Sequence, residues 1–119
     1  MERNALNRKS LEFAVRIVRF YRFLTEEKNE FVMSKQILRS GTSIGANVRE
    51  SKNAQSPMDF IHKLNIALKE ADETQYWLEV LQLSETINQE EFDSLNNNLK
   101  EIIALLTSII KTIKKQQTQ

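Results

Sequence analysis

The sequence predicts an all-α protein, an antiparallel up-down four-helix bundle, and three observations support this fold class. The 119 residues include only two glycines and one proline, too few for the tight turns that a sheet protein needs. Four long segments carry apolar residues at helical spacing, and polar stretches separate them. Hydrophobic residues make up 40% of the chain, enough for one core at this length, so a single domain over residues 1–119 is expected.

The predicted helices cover roughly residues 8–25, 30–54, 57–84 and 88–115. In the first helix, apolar residues recur at spacings of four, three and four and form one stripe: Phe13, Ile17, Phe20 and Leu24. Leu11, Val15 and Val18 lie beside this stripe and give the helix more apolar surface than one seam requires. This excess predicts a contact with a second copy of the chain, and therefore a homo-oligomer.

Capping residues and heptad spacing define the third and fourth helices. Ser56 and Pro57 suit a helix start, and Asp59 favours the positive end of the helix dipole. Thr86 or Asn88 is the expected cap of the fourth helix. Along both segments, apolar or small residues recur at spacings that alternate between three and four, the repeat of a bundle seam. In the third helix these residues are Phe60, Leu64, Ala67, Ala71, Thr74, Leu78 and Leu81. In the fourth helix they are Phe92, Leu95, Leu99, Ile102, Leu106, Ile109 and Ile113. Residues 114–119 lack apolar anchors and are expected to fray.

Both glycines of the chain, Gly41 and Gly45, fall inside the second predicted helix. The stripe predicted to face the core of this helix comprises Phe31, Ser34, Leu38, Gly41, Gly45 and Val48. The apolar phase continues across the glycines, since Ile44 and Val48 stay in register with Ile37. Because an interior glycine costs about 0.5 to 1 kcal/mol relative to alanine, the pair predicts a packing notch for a neighbouring helix. A phosphate-binding loop is not favoured, because the preceding strand and the terminal Lys-Ser or Lys-Thr pair are missing.

Charge is unevenly distributed, although the formal net charge is only +1. The first 22 residues contain six basic and two acidic side chains. A helical projection places Arg8, Arg16, Arg19 and Arg22 on one arc opposite the apolar stripe. This arc is the candidate nucleic-acid-binding surface, since arginines on one face can neutralise phosphates. The alternative is a solvated face that forms salt bridges with the acidic third helix.

Two stretches, RSGTSIGANVRES at 39–51 and DFIHKLNIALKEADETQYWLEVL at 59–81, resemble the four-helix-bundle family of 23S rRNA intervening-sequence proteins. The resemblance covers essentially the whole chain. It implies an antiparallel bundle that assembles into a ring-like homo-oligomer, with five subunits expected. It also implies a relationship to the accessory variability proteins of diversity-generating retroelements, which are basic pentameric bundles that bind nucleic acid. No activity is assigned to most family members.

The family's motif positions also point to polar residues near the seams. The residues expected to form an interhelix hydrogen-bond network are Arg39, Ser43, Asn47, Glu50, Glu70, Glu73 and Tyr76. In this interpretation Arg39 and Asn47 satisfy the carboxylates and fix helix register. A carboxylate metal site is the alternative, but di-iron bundles require Glu-x-x-His on two helices. The only histidine, His62, is out of step with both glutamates, so neither a metal nor a catalytic role is expected.

The sequence therefore predicts a non-enzymatic, oligomeric helical bundle without a cofactor. The first functional hypothesis is RNA (rRNA) binding through the arginines of the first helix, by phosphate contacts that recognise shape more than sequence. The alternative is a structural scaffold or protein-binding adaptor with no nucleic-acid role. No membrane partner is expected, because no apolar run approaches the roughly 18 residues needed to span a bilayer. Residues 1–10 are polar and charged, so a cytoplasmic location is predicted.

Overall fold

The computed structural model describes residues 1–118, which form four α-helices and contain no strand. The helices are α1 (Glu2–Glu26), α2 (Met33–Ser51), α3 (Pro57–Leu83) and α4 (Gln89–Gln117). Each helix packs on the next one in the chain, and α4 also packs on α1. The diagonal pairs, α1 with α3 and α2 with α4, have no Cα atoms within 8 Å of each other among the described residues. The predicted all-α four-helix fold is therefore confirmed.

The first and last helices extend further than the sequence pattern predicts. α1 begins at Glu2 rather than near residue 8 because Leu6, seven residues before Phe13, continues the buried stripe. At the other terminus, α4 remains helical to Gln117, two residues beyond the predicted end at 115, and the fraying of residues 114–119 stays a prediction; Gln119 lies outside the described residues. Ile113 is the last buried side chain of α4, and the last turn follows it without a core contact of its own.

The second helix is shorter than the predicted range of 30–54. The Glu30 carboxylate accepts hydrogen bonds from the backbone N–H groups of Val32, Met33 and Ser34, at 3.1, 3.1 and 2.7 Å. These bonds cap the helix from outside, and Phe31, which the sequence placed on the buried stripe, is 55% exposed instead. At the other end, residues 52–54 form i to i−3 turns, so the helix stops at Ser51.

The starts of α3 and α4 agree with the predicted caps. The Ser56 hydroxyl accepts a hydrogen bond from the backbone N–H of Asp59 at 3.0 Å, and Pro57 opens α3. Asn88 and Glu91 form a reciprocal capping box, in which each side chain accepts from the backbone N–H of the other at 2.8 Å. Both caps use only residues three apart in sequence, so a local pattern is sufficient to locate these helix starts.

A single cluster of buried apolar side chains, contributed by all four helices, forms the core. The predicted stripe of α1 is buried throughout, and so is the predicted seam of α3 except for its first residue, Phe60. In α4 only Phe92, the first residue of the seam, is incompletely buried, and Ile110 joins the core. Leu11 and Val15 of α1 stay 53% and 44% exposed, outside this core.

The two glycines of α2 form the notch that α1 occupies. The helix runs without interruption through Gly41 and Gly45, and neither has a positive φ. A Cβ atom at Gly41 would lie 2.8 Å from Cγ1 and 2.9 Å from Cγ2 of Ile17, and one at Gly45 would lie 3.1 Å from the carbonyl oxygen of Ser10. The missing side chains therefore allow the close approach of α1 and α2, as the sequence predicts.

Candidate functional site

The arginine face of α1 lies largely in solvent. Arg8, Arg19 and Arg22 are exposed, and none of them forms an ion pair within residues 1–118. Glu12 is exposed on the same face, between Arg8 and Arg16 in the helical projection. The face is therefore basic but includes one carboxylate.

Arg16 differs from the other three arginines because α4 holds it in place. Its guanidinium donates to the carbonyl oxygen and the hydroxyl of Ser94, at 3.1 and 2.7 Å, and to Oδ1 of Asn98 at 2.7 Å. Two turns earlier, Lys9 pairs with Glu101 of α4 at 2.7 Å. The predicted alternative of salt bridges between this face and α3 is wrong for residues 1–118, because the polar contacts of Lys9 and Arg16 reach α4 instead.

A groove of about 470 Å³ lies between α1 and α4 beside these arginines. Arg16 and Arg19 line it together with Phe20 and Phe23, whose rings stack with centroids 6.2 Å apart. Glu90 and Glu91 of α4 form part of the opposite wall. The sequence analysis missed this groove, since only packing of α4 against α1 brings these acids beside the arginines.

A second polar cluster joins α2 to α3. The Arg39 guanidinium donates to Glu70 at 3.0 Å and also to Glu73, and the indole Nε1 of Trp77 donates to Glu73 at 3.1 Å. The hydrogen bonds from Arg39 and then from Trp77 lower the pKa of Glu73 below its ordinary value. The two glutamates raise the pKa of Arg39, chiefly through the hydrogen bond to Glu73. The arrangement is an interhelix clamp with both partners charged near neutral pH.

The remaining members of the predicted polar network do not join this cluster. Asn47 donates to the carbonyl of Ser43 at 2.9 Å, and Ser43 donates to the carbonyl of Arg39 at 2.6 Å. Both bonds lie within α2, so the expectation that Asn47 satisfies the carboxylates is wrong; its short side chain reaches back one turn of its own helix. Glu50 instead accepts from Lys63 of α3 at 3.2 Å.

Tyr76 lies on the outer side of the Arg39 cluster. It is 58% exposed, and its ring meets that of Trp77 edge to face with centroids 5.2 Å apart. Two buried polar contacts escaped the sequence analysis: the hydroxyls of Ser40 and Thr74 lie 2.9 Å apart, and Gln75 donates to Asn96 at 3.0 Å. Nothing in the local sequence of α2, α3 or α4 distinguishes these four residues from their neighbours.

Within residues 1–118, no group of three His, Cys, Asp or Glu side chains is placed to hold a metal ion. His62 is exposed on α3. The described helices also include none that is long and apolar enough to cross a membrane.

Comparison with known proteins places the chain in a family. The family model described as 23S rRNA-intervening sequence protein matches residues 2–108. The chain belongs to the 23S rRNA-intervening sequence protein family. It is also similar to a crystal structure of a protein of unknown function from the S23 ribosomal protein family of Bacteroides thetaiotaomicron, with 65% identity and a TM-score of 0.92 over 93% of this chain and 99% of that one. No curated protein matches the chain.

The structure explains why two separate stretches resemble 23S rRNA-intervening sequence proteins. Residues 39–51 lie on α2 and residues 59–81 on α3, and these two helices pack against each other. The stretches meet at the Arg39 cluster and at the buried Ser40–Thr74 contact. The residues that carry the resemblance are therefore largely those that hold α2 on α3, a structural role that identifies the fold without assigning a reaction.

Proposed function

We propose that the protein is a non-enzymatic, oligomeric bundle that binds RNA, with rRNA as the first candidate, through the basic face of α1. The observation that carries the proposal is the exposure of Arg8, Arg19 and Arg22 without ion-pair partners in residues 1–118. Unpaired guanidinium groups can release counterions from phosphates, which supplies most of the affinity of non-specific nucleic-acid binding. No cofactor is involved, and the protein acts in the cytoplasm.

In this proposal the helices run antiparallel, and five bundles assemble into a ring. Contacts between α1 and α4 support the antiparallel course: Glu2, Lys9 and Arg16 reach Ser108, Glu101 and Ser94 in turn. Leu11 and Val15, exposed at the Arg22 edge of the basic face, supply the contact between subunits. A ring would repeat the arginines of α1 and strengthen binding to a structured RNA through several weak contacts. The relationship to accessory variability proteins stays a prediction from the resemblance.

RNA binding can be tested by fluorescence anisotropy of a labelled, structured rRNA fragment at about 50 and 200 mM salt, since several phosphate contacts weaken steeply over that range. We expect binding at the lower salt that Arg19→Glu with Arg22→Glu abolishes. Arg16 is unsuitable for this purpose because its charge reversal would also break the contacts with Ser94 and Asn98. Lys35→Glu with Lys100→Glu, both exposed, is the control with the same charge change.

Absence of binding by the wild-type protein at the lower salt would contradict the proposal. Equal loss of affinity in both double variants would also contradict it, because net charge rather than the face of α1 would then explain the binding. Light scattering before each titration keeps a change in assembly separate from a change in affinity.

A second candidate function is a scaffold or protein-binding adaptor. A stripe on α3 favours it: Asp72, Tyr76, Glu79 and Leu83 recur at spacings of four, three and four and are all exposed. An exposed aromatic between carboxylates suits a protein partner better than a polyanion. Under this function, one protein partner co-purifies at high salt, and Tyr76→Ala with Leu83→Ala releases it while RNA affinity stays unchanged.

A further inference from the structure

One end of the bundle contains a pocket of about 380 Å³ that the proposed RNA-binding face does not include. The start of α1, the end of α2, the start of α3 and the end of α4 all contribute to it. Its floor is apolar, formed by buried Leu6, Val48, Leu64 and Ile113. The volume lies at the lower end of the range for small-molecule pockets, so the pocket suits a small ligand with an apolar body.

The rim of this pocket is basic. Arg3 and Lys52 line it, and no aspartate or glutamate does so among the described residues. Neither cation forms an ion pair within residues 1–118. The guanidinium of Arg3 lies 4.5 Å from the ring centroid of Phe60, which also lines the pocket. Stacking fixes the plane of a guanidinium and leaves its in-plane N–H groups free to donate to an oxyanion.

Charge across the whole end of the bundle reinforces the rim. Residues 1–11, 46–64 and 108–118 together carry nine basic and three acidic side chains: Arg3, Arg8, Lys9, Arg49, Lys52, Lys63, Lys111, Lys114 and Lys115 against Glu2, Glu50 and Asp59. The opposite end, residues 19–35 and 75–94, carries four basic and eight acidic ones. A small anion is therefore attracted more strongly to this end of the molecule than to the other.

We infer that this pocket binds a small amphipathic carboxylate, with its apolar chain on the Leu6–Leu64 floor and its carboxylate between Arg3 and Lys52. A neutral ligand would leave both cations unpaired, and a purely ionic one would leave the apolar floor uncovered. None of the four arginines of the α1 face lines the pocket, so the inference does not depend on RNA binding.

Calorimetric titration with octanoate, and with 1-octanol as the neutral analogue, tests the site on the full-length protein. We expect saturable octanoate binding that Lys52→Gln and Arg3→Gln each weaken about tenfold, the effect of losing one charge-assisted contact. Binding of 1-octanol should be weaker than octanoate binding by more than either variant causes, because the neutral analogue loses the contacts with both cations. Ala54→Leu, which fills the pocket without changing its charge, should weaken octanoate and octanol together.

The matched control is Lys28→Gln at the opposite end, where the ammonium lies 5.5 Å from the ring centroid of Phe23. It should leave octanoate affinity unchanged. Equal affinities for octanoate and octanol, an equal effect of Lys28→Gln and Lys52→Gln, or no saturable octanoate binding would overturn the inference. Retention on phosphatidylglycerol vesicles without binding of free octanoate would also overturn it, because the anion recognised would then belong to a lipid surface. Circular dichroism of each variant separates loss of the site from loss of the fold.

Discussion

At the scale of single residues, two buried serines of α2 differ in their hydrogen bonding. Ser34 and Ser40 are both fully buried. The hydroxyl of Ser40 lies 2.9 Å from that of Thr74, whereas the hydroxyl of Ser34 has no partner in the described residues. Because a buried polar group without a partner costs about 1 to 3 kcal/mol, Ser34→Ala should raise the free energy of unfolding. Ser40→Ala, the matched variant, should lower it by about 1 kcal/mol. Urea denaturation measures both, and destabilisation by Ser34→Ala would contradict the assignment.

The glycine notch gives a second prediction at the same scale. Gly41→Ala places its Cβ against the Cγ atoms of Ile17, a fully buried β-branched residue that cannot rotate away within a helix. We expect a loss of about 1 to 3 kcal/mol from overpacking, in spite of the gain in helix propensity. Gly45→Ala meets only the Ser10 carbonyl oxygen, at 3.1 Å, and should cost less.

A double-mutant cycle with Ile17→Ala shows whether this contact causes the loss. The two changes should couple by about 0.5 to 3 kcal/mol, because the shortened side chain makes room for the new methyl group. A Gly41→Ala variant as stable as the wild-type protein would show that α1 and α2 can separate at little cost.

At the scale of helices, the Arg39 cluster makes the α2–α3 contact dependent on pH. The pKa of Glu73 is lowered below its ordinary 4.5, first by the hydrogen bond from Arg39 and then by that from Trp77. A lowered pKa in the folded state means that the stabilisation is fully present above the unfolded pKa and is lost as pH falls through the folded value. Arg39, whose pKa is raised above its ordinary value chiefly by the hydrogen bond to Glu73, stays charged throughout. Glu73→Gln should therefore destabilise the protein near neutral pH, and the difference should shrink as the pH falls below 4.5.

The expected difference is about 1 kcal/mol or less, because Arg39 is half exposed and solvent screens the pair. Denaturation of wild type and Glu73→Gln at about pH 6.5 and about pH 3 measures it. Glu79→Gln is the control, an exposed glutamate of the same helix with no ion pair in residues 1–118. A difference between wild type and Glu73→Gln that stayed constant with pH would mean that shape, not charge, explains the effect.

The helices also show which features a sequence can reveal. The starts of α3 and α4 were predictable because Ser56 and Asn88 make their capping bonds with residues three positions away. The start of α2 was not, because an apolar stripe that included Phe31 concealed a loop capped by the Glu30 side chain. The notch at Gly41 was predictable as a close approach, but its occupant, Ile17, depends on how α1 packs.

The same distinction applies to the candidate sites. Arg39 with Glu70 and Glu73 was predictable from motif positions on two helices. The bonds of Arg16 to Ser94 and Asn98 were not, because they join residues of unremarkable type that are about eighty positions apart.

At the scale of the whole molecule, the bundle is a rod that leaves much surface uncovered. Its dimensions are 51 × 22 × 20 Å and its accessible surface is 7248 Å², compared with about 6,700 Å² for a compact monomer of this mass. Part of this surface is apolar: Leu11 and Val15 are one turn apart on α1, outside the core. Beside them a groove of about 300 Å³ between α1 and α2 is lined by Leu11 and Gly45 among others. These features favour a contact with a second copy along α1.

If the proposed oligomer forms through this contact, Leu11→Glu with Val15→Glu should reduce it to a folded monomer. Two carboxylates in a desolvated interface have no counterion there, so association becomes unfavourable. The isolated bundle keeps its stability because neither side chain belongs to the core. Light scattering measures the mass of the assembly, and thermal unfolding shows whether the variant is folded.

The control is Met58→Glu with Leu83→Glu, which changes two apolar residues that are 75% and 81% exposed on α3. This variant should leave the mass unchanged. If the wild-type protein is itself a monomer, the proposed ring does not form. If the α3 variant dissociates, the subunit contact lies on the α3 side of the bundle and not along α1.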